Sequence, residues 1–277
     1  MCGENIDKYR LTPCEEYILY FENVDNFEDL PKQIKKHLEE NESLLLNRAT
    51  VKNEGREWWR YARPLHKEYY NLNKIWCSYR SKSNKFVFDG TNDYIGLTNT
   101  TVIFDTNKKL SLKYLLALLN SSTLDYRYKS IGKQTGNGVY EYFENGVGKL
   151  PIPEISLEQQ KPFIEYADKM LSLNEDLQKK INRFIGRIKE TYSLEKTTQG
   201  MESFYKLPFA DFVKELSKQK VKLSMRQKDE LEDYFNEYVN DISALNETIE
   251  KTDREINALV YNLYGLSEEE IDIIEKV

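Results

Sequence analysis

Residues 48–63, RATVKNEGREWWRYAR, hold the densest run of side chains that could recognise another molecule. Arg56, Arg60 and Arg63 interleave there with Trp58, Trp59 and Tyr61. A guanidinium is a planar fork that fits a phosphate or the O6/N7 edge of guanine, and an indole or phenol ring offers a flat face to a base or sugar. The same pattern admits a packing reading, with Trp59 and Tyr61 in a core and the arginine heads reaching outward. A second stretch is Gly132, Lys133, Gln134, Thr135, Gly136, Asn137 and Gly138, a polar loop between a helix and an aromatic segment. Its glycines would let the backbone approach a groove closely, and the amides of Gln134 and Asn137 suit the N6/N7 edge of adenine. A flexible surface turn is the plain alternative. Arg56, Arg60, Arg80, Gln134 and Asn137 are therefore candidates for reading base edges. Lys52, Lys82, Lys129 and Lys133 are candidates for phosphate contacts, which supply affinity without sequence information.

Charge supports an anionic partner, but only locally. The chain of 277 residues carries a net charge of −6. Residues 1–46 hold 5 basic and 11 acidic groups, residues 47–153 hold 17 and 9, and residues 154–277 hold 18 and 26. A middle of net +8 between acidic flanks suits a polyanion such as double-stranded DNA, while chance clustering on a solvated face is the alternative. Cys2, Cys14 and Cys77 are odd in number and widely spaced, which implies neither a disulfide framework nor a Cys-x-x-Cys metal site and fits a reduced cytoplasmic setting. His37 and His66 are the only histidines, so neither a zinc site nor a Ser/His/Asp set is expected. No apolar run approaches the length of a membrane span.

Several segments, in their order and spacing, resemble the TaqI-like C-terminal specificity (target-recognition) domain of type IIG restriction–modification enzymes. They are YLLALLNSSTLDYRYKS, YEYFENGVGKLPIP, EQQKPFIEYADKML and, near the end, NALVYNLYGLSEEEIDIIE. Such enzymes fuse an N6-adenine DNA methyltransferase, often with a nuclease, to a recognition domain. The resemblance implies that Gly3, Ile6 and Tyr9 match the Gly-x-x-Ile-x-x-Tyr element joining the two parts, and that Trp58 to Tyr61 matches a Trp-x-x-Arg-like element. On that view the chain begins where a catalytic domain would end; a frayed terminus is the alternative. The Asn/Asp-Pro-Pro-Tyr/Phe motif that grips a flipped adenine is missing, since the sequence has no Pro-Pro, and there is no Gly-x-Gly-x-x-Gly cofactor loop. No catalytic residue, metal or cofactor is assigned to this chain. S-adenosylmethionine and Mg are implied only for a separate catalytic part, a methyltransferase/nuclease domain or subunit.

These residues need elements to hold them. Residues 17–21 (YILYF) read as a buried strand, and residues 31–48 as a helix with Leu30, Ile34, Leu38 and Leu45 on one face. Residues 74–80, 85–89 and 101–105 read as strands that join residues 17–21 in one curved mixed sheet. A helix over 112–128, capped by Ser111, presents Leu112, Leu115, Leu116 and Leu119 to that sheet. Pro151 and Pro153 bar any helix before Ser156. Thereafter two heptad seams appear. One is Phe163, Ala167, Met170, Asn174, Leu177, Ile181, Phe184 and Ile188; the other runs from Leu231 through Phe235, Tyr238, Ile242, Leu245, Ile249, Thr252, Ile256 and Leu259 to Leu263. They predict two long helices packed antiparallel, with a short helix over 207–216 between them, Ser224 capping the second, Gly265 ending it and Ser267 capping a last short helix. The expected fold is α+β, with a target-recognition domain of mixed curved sheet and packed helices over residues 1–155 and a helical, coiled-coil-like spacer over 156–277. The expected function is sequence-specific DNA recognition without catalytic motifs. A coiled-coil scaffold or adaptor with no nucleic-acid role is the alternative.

Overall fold

The structure, a computed structural model, describes residues 2–12, 17–21, 23–63, 65, 70–91, 93–97, 99–104 and 108–276. It is α+β. The central strand is β3 (Lys74–Ser78), flanked antiparallel by β5 (Phe86–Asp89) and β6 (Thr100–Phe104). β3 is covered on both faces. Ile75 and Cys77 join the main core with Phe86, while Trp76 packs on the opposite face with Ile6 and Val87. Burial on both faces explains why its apolar residues run together instead of alternating with polar ones.

At the head of β3 lies a buried ion pair. Lys74 Nζ sits 3.6 Å from Asp89 Oδ2, and both side chains are 1% exposed. Trp76 Nε1 donates to the same carboxylate at 3.0 Å, and Thr91 donates to Asp89 Oδ1 through N–H and hydroxyl.

The sequence expectation of one mixed sheet is corrected in three ways. Residues 17–21 form no strand, and Tyr17 is 95% exposed. Among the described residues they pair with no strand; Phe21 packs on Trp59 instead, and Tyr20 on Tyr61. Residues 74–80 split at Tyr79, so that Arg80 opens β4 (Arg80–Ser81) in a separate sheet. All described pairings are antiparallel.

The N-terminal residues are built in. β1 (Ile6–Asp7) pairs with β2 (Arg10–Leu11), and Ile6 and Tyr9 are buried. A Cβ on Gly3 would lie 2.5 Å from Ser78 Oγ and 2.7 Å from the Asn99 carbonyl, so only glycine fits. Tyr9 turns the chain at a φ of 58° and donates its N–H to the Phe86 carbonyl.

The helix expected over 31–48 is two pieces, α1 (Lys32–Glu40) and α2 (Glu42–Leu46), and a further short helix, α3 (Ala49–Glu54), follows it. Asn41 breaks the first by donating its side-chain amide to the His37 carbonyl. The helix expected over 112–128 is two, α4 (Leu112–Leu119) and α5 (Ser122–Ile131). Ser111 caps the first and Ser121 the second, each accepting a backbone N–H. Leu116, Ala117, Leu118 and Tyr114 of α4 are all fully buried, so α4 is wrapped on several sides where one apolar face was expected.

After α6 (Glu144–Val147), α7 (Leu157–Tyr192) starts at a Ser156–Gln159 capping box. Every residue of its expected seam is buried. α8 (Gln199–Glu202) and α9 (Phe209–Lys218) lead to α10 (Met225–Tyr264), capped by Ser224 and stopped at Gly265, and α11 (Glu268–Glu275) is capped by Ser267. The α7–α10 pair is antiparallel: Lys169 pairs with Glu255 and Lys180 with Asp241. Towards its end, the buried stripe of α10 shifts from the expected Leu259 and Leu263 to Asn257, Val260 and Tyr261. The cause is a third layer, in which α5 and α11 pack beside α10 and Asn257 Oδ1 accepts the Ser122 N–H.

Candidate nucleic-acid interface

The polar stretch 132–138, expected as a loop, is a β-hairpin. β7 (Lys133–Gly136) pairs antiparallel with β8 (Val139–Glu141), and the turn residues Asn137 and Gly138 have φ of 50° and 72°. Two successive left-handed residues make the tight turn that matches strand twist, and Asn-Gly is its preferred sequence. The hairpin stands away from the body: residues 133–138 are all exposed.

Its base is anchored. β8 pairs on its other side with β4, so Arg80, Glu141 and Lys133 form one row across three strands, and Ser81, Tyr140 and Gln134 form the next. Glu141 receives Arg80 Nη2 at 3.0 Å and Lys133 Nζ at 2.7 Å. The carboxylate is 6% exposed whereas the two cations are 63% and 65% exposed. Hydrogen bonds from Lys133 and Arg80 hold its pKa below the usual carboxylate range, and Glu141 in turn raises that of Lys133. One carboxylate thus holds two cations side by side and leaves the row at net +1. Below it, the Tyr128 hydroxyl donates to the Glu141 carbonyl at 2.5 Å, and its ring stacks on Tyr142 at 4.3 Å. Sequence reasoning missed Glu141, and nothing in its local pattern distinguishes it from any acidic strand residue. The Asn-Gly pair, by contrast, is a signal that could have found the hairpin.

Neighbouring strand positions face opposite sides. Lys133 and Gln134 therefore address different faces of the hairpin, though the sequence placed them in one loop. The side-chain amides of Gln134 and Asn137 have no hydrogen-bond partner among the described residues. Lys82, just beyond β4, is exposed. Lys129 lies on α5 and is largely covered, its ammonium 3.0 Å from Asp125.

The basic–aromatic run lies elsewhere, around its own cluster of Leu30, Leu38 and Trp59. Here the packing reading describes Trp59, which is 5% exposed. Arg60 turns inward: its guanidinium covers the Trp59 ring at 4.3 Å and donates to the carbonyls of Phe21, Val24 and Asp25. It also pairs with Glu57. Arg56 donates to the Tyr61 carbonyl, and Arg63 forms a two-pronged pair with Glu54. Arg48 binds the Trp58 and Arg60 carbonyls, a role the sequence did not single out. Lys52 stands exposed on α3. Along the outer side of β6 runs a groove of about 920 Å³, bordered by Arg63, Tyr79, Leu115 and Phe143.

Among the described residues no group of histidine, cysteine or acidic side chains could hold a metal, and no helix is long and apolar enough to cross a membrane.

The molecule is thus a helix-backed α+β core that projects one small polar hairpin, with Lys133 and the neighbouring Arg80 at its base. The family follows from the sequence: residues 1–152 match the TaqI-like C-terminal specificity domain, and the chain belongs to that family. Residues 156–260 match a second family, described as a domain of unknown function (DUF8810). A search of curated proteins gave no match.

Proposed function

We propose that this chain is the DNA target-recognition part of a type IIG restriction–modification system, with residues 1–155 reading double-stranded DNA and residues 156–277 forming a helical arm. Family membership supports a role in specificity. The observation that carries the DNA reading is the β7–β8 hairpin, at whose base Glu141 holds Lys133 of β7 beside Arg80 of β4, with the side-chain amides of Gln134 and Asn137 unpartnered further out among the described residues. Arg80 and Lys133, with Lys82 and Lys52, hold phosphates and set register; Gln134 and Asn137 reach base edges in the major groove. Arg56, Arg60 and Arg63 stand apart from this surface and are assigned to holding their own cluster together, since their donors already bind the protein's own carbonyls and carboxylates.

Methyl transfer and cleavage belong to a partner domain or subunit working in the cytoplasm, and S-adenosylmethionine and Mg belong to that partner. The absence of Pro-Pro and of a Gly-x-Gly-x-x-Gly loop supports this assignment. The pure chain is accordingly expected to bind no S-adenosylmethionine in equilibrium dialysis, and methylation of DNA by it would overturn the assignment.

The test is selection of duplexes from a random library by the full chain. An enriched motif is expected. Gln134→Ala and Asn137→Ala each weaken binding to that motif by roughly 1–3 kcal/mol and leave other sequences unaffected. Lys133→Ala and Lys82→Ala weaken binding on all sequences and lower the log–log salt slope by about 1 each. A chain that binds no duplex in low salt would leave the scaffold reading of the helical pair in its place.

A further inference from the structure

The second half of the chain is acidic as a whole, and that average hides a division. Residues 178–228 carry 13 basic and 5 acidic side chains, net +8. The flanking stretches 154–177 and 229–277 together carry 5 and 21, net −16. Residues 178–228 are the far end of the helical arm: the last turns of α7, then α8, α9 and the start of α10, gathered around Phe184, Phe204, Phe212 and Phe235. Six cations there, Arg183, Lys189, Lys196, Lys220, Lys222 and Lys228, are exposed and have no carboxylate within ion-pair distance among the described residues. In the hairpin sheet, by contrast, Arg80 and Lys133 are both tied to Glu141.

Unpaired ammonium and guanidinium groups repel one another, so a cluster of them raises the energy of the free protein. They lose nothing internal when a polyanion arrives. A cleft of about 280 Å³ between α7 and α10 adds Arg187, Tyr234 and Tyr238 beside Arg183, although Glu237 and Asp241 also line it. The acidic residues Asp229, Glu230, Glu232 and Asp233 mark where the positive surface ends along α10. A membrane is the poorer partner, because a surface helix that binds lipid also buries apolar side chains. Met225 is the one large apolar side chain exposed over this stretch among the described residues.

We infer that the tip of the helical arm is a second, sequence-independent DNA site that grips backbone phosphates. The inference rests on the DNA-recognition reading above. α7 has 36 residues and spans about 54 Å at 1.5 Å per residue. Its opening turns share the core cluster with Tyr128 and Tyr142 at the hairpin base and its last turns belong to the tip cluster, so the tip meets the duplex roughly one helical turn or more from the bases that the hairpin reads. The arm acts as a ruler with a grip at each end.

The experiment compares the full chain with an Arg183→Ala/Lys222→Ala/Lys228→Ala variant on duplexes of about 12 and about 40 base pairs that contain the selected motif, across a salt series. Circular dichroism is expected to be unchanged, since all three side chains are exposed. On the long duplex the variant's log–log salt slope is expected to fall by about 2 to 3, with affinity down at least tenfold at low salt. On the short duplex, which cannot reach both sites, the two proteins are expected to bind alike. A variant that keeps the wild-type slope on the long duplex overturns the second site while leaving the hairpin reading intact. Wild-type chain that binds neither duplex overturns both. Uptake by anionic vesicles that the substitutions abolish, with DNA binding unchanged, reassigns the tip to a membrane and overturns it as well.

Discussion

Asp89 concentrates the chemistry of the core in one side chain. Burial pushes its pKa up, but donors from Trp76 and Thr91 and the charge of Lys74 outweigh burial and bring it below the ordinary value. A carboxylate depressed in the folded state contributes stability that is fully present above its unfolded value, about 3.9, and is lost as pH falls through the lower folded value. Asp89→Asn leaves the Lys74 ammonium buried without its counter-charge, and such removals cost roughly 3–5 kcal/mol. Urea unfolding should show that loss at neutral pH, and a shallower fall in stability below about pH 4 than in the wild type. A wild-type midpoint at neutral pH would mean that the carbonyls of Tyr70 and Leu72, to which Lys74 Nζ also donates, suffice without the carboxylate. Glu141 follows the same sign rule at the hairpin base, where its depressed pKa keeps both cations clamped at neutral pH.

Among the elements, the hairpin and the helical pair make opposite demands on sequence. The hairpin depends on its turn. Asn137 sits at a φ of 50°, which a β-branched residue adopts only with strain. Asn137→Val should therefore fray the hairpin at a cost of about 1–2 kcal/mol, read as faster amide exchange at Val139 and Glu141, whereas Asn137→Gly should not. The helical pair depends on its seam. Ile242 is fully buried, and Ile242→Asp places an unpaired charge among Leu177, Ile181 and Phe235, which should melt the arm in thermal circular dichroism. Ile249 is only half-buried, where the two apolar clusters meet, so Ile249→Asp should cost less. This seam was legible from sequence because a heptad period has no competing explanation over so many turns. The breaks at Asn41 and Asn120 were not legible, because each turns on one polar side chain that bonds to backbone carbonyls instead of continuing the helix. Residues 17–21 misled for the opposite reason: their apolar content suits a strand, but a strand also needs a pairing edge, and that is a tertiary fact. At the candidate site the residue types are legible in the sequence, but the face each one occupies is set by strand alternation around a tight turn where the glycine-rich pattern predicts a loop.

Across the whole molecule, the two family matches meet near residue 155, yet the main core does not divide there. Tyr114 of α4 packs edge-on to Phe163 of α7 at 5.3 Å and donates its hydroxyl to the Pro153 carbonyl. Phe163, Ala167, Met170, Ile256 and Val260 share one apolar cluster with Tyr9, Ile75, Phe86 and Leu118. Gln160 on α7 is completely buried, accepts the Ser111 N–H and donates to the carbonyls of Lys109 and Ile155. Lys8 reaches Asp253 of α10 at 2.6 Å. A fragment of residues 1–155 would expose the α4 face that α7 and α10 cover, at about 25 cal/mol for each Å² of apolar surface returned to water. For a domain whose net stability is about 5–15 kcal/mol, loss of several such side-chain contacts is decisive. The fragment should therefore be aggregated or molten, without a cooperative thermal transition, and supplying residues 156–277 in trans should restore one. The consequence for function is mechanical: a load on the arm tip reaches the hairpin through α7, α4 and α5 without crossing a flexible linker. A fragment of 1–155 that melts cooperatively and keeps the selectivity of the full chain would show instead that recognition is independent of the arm.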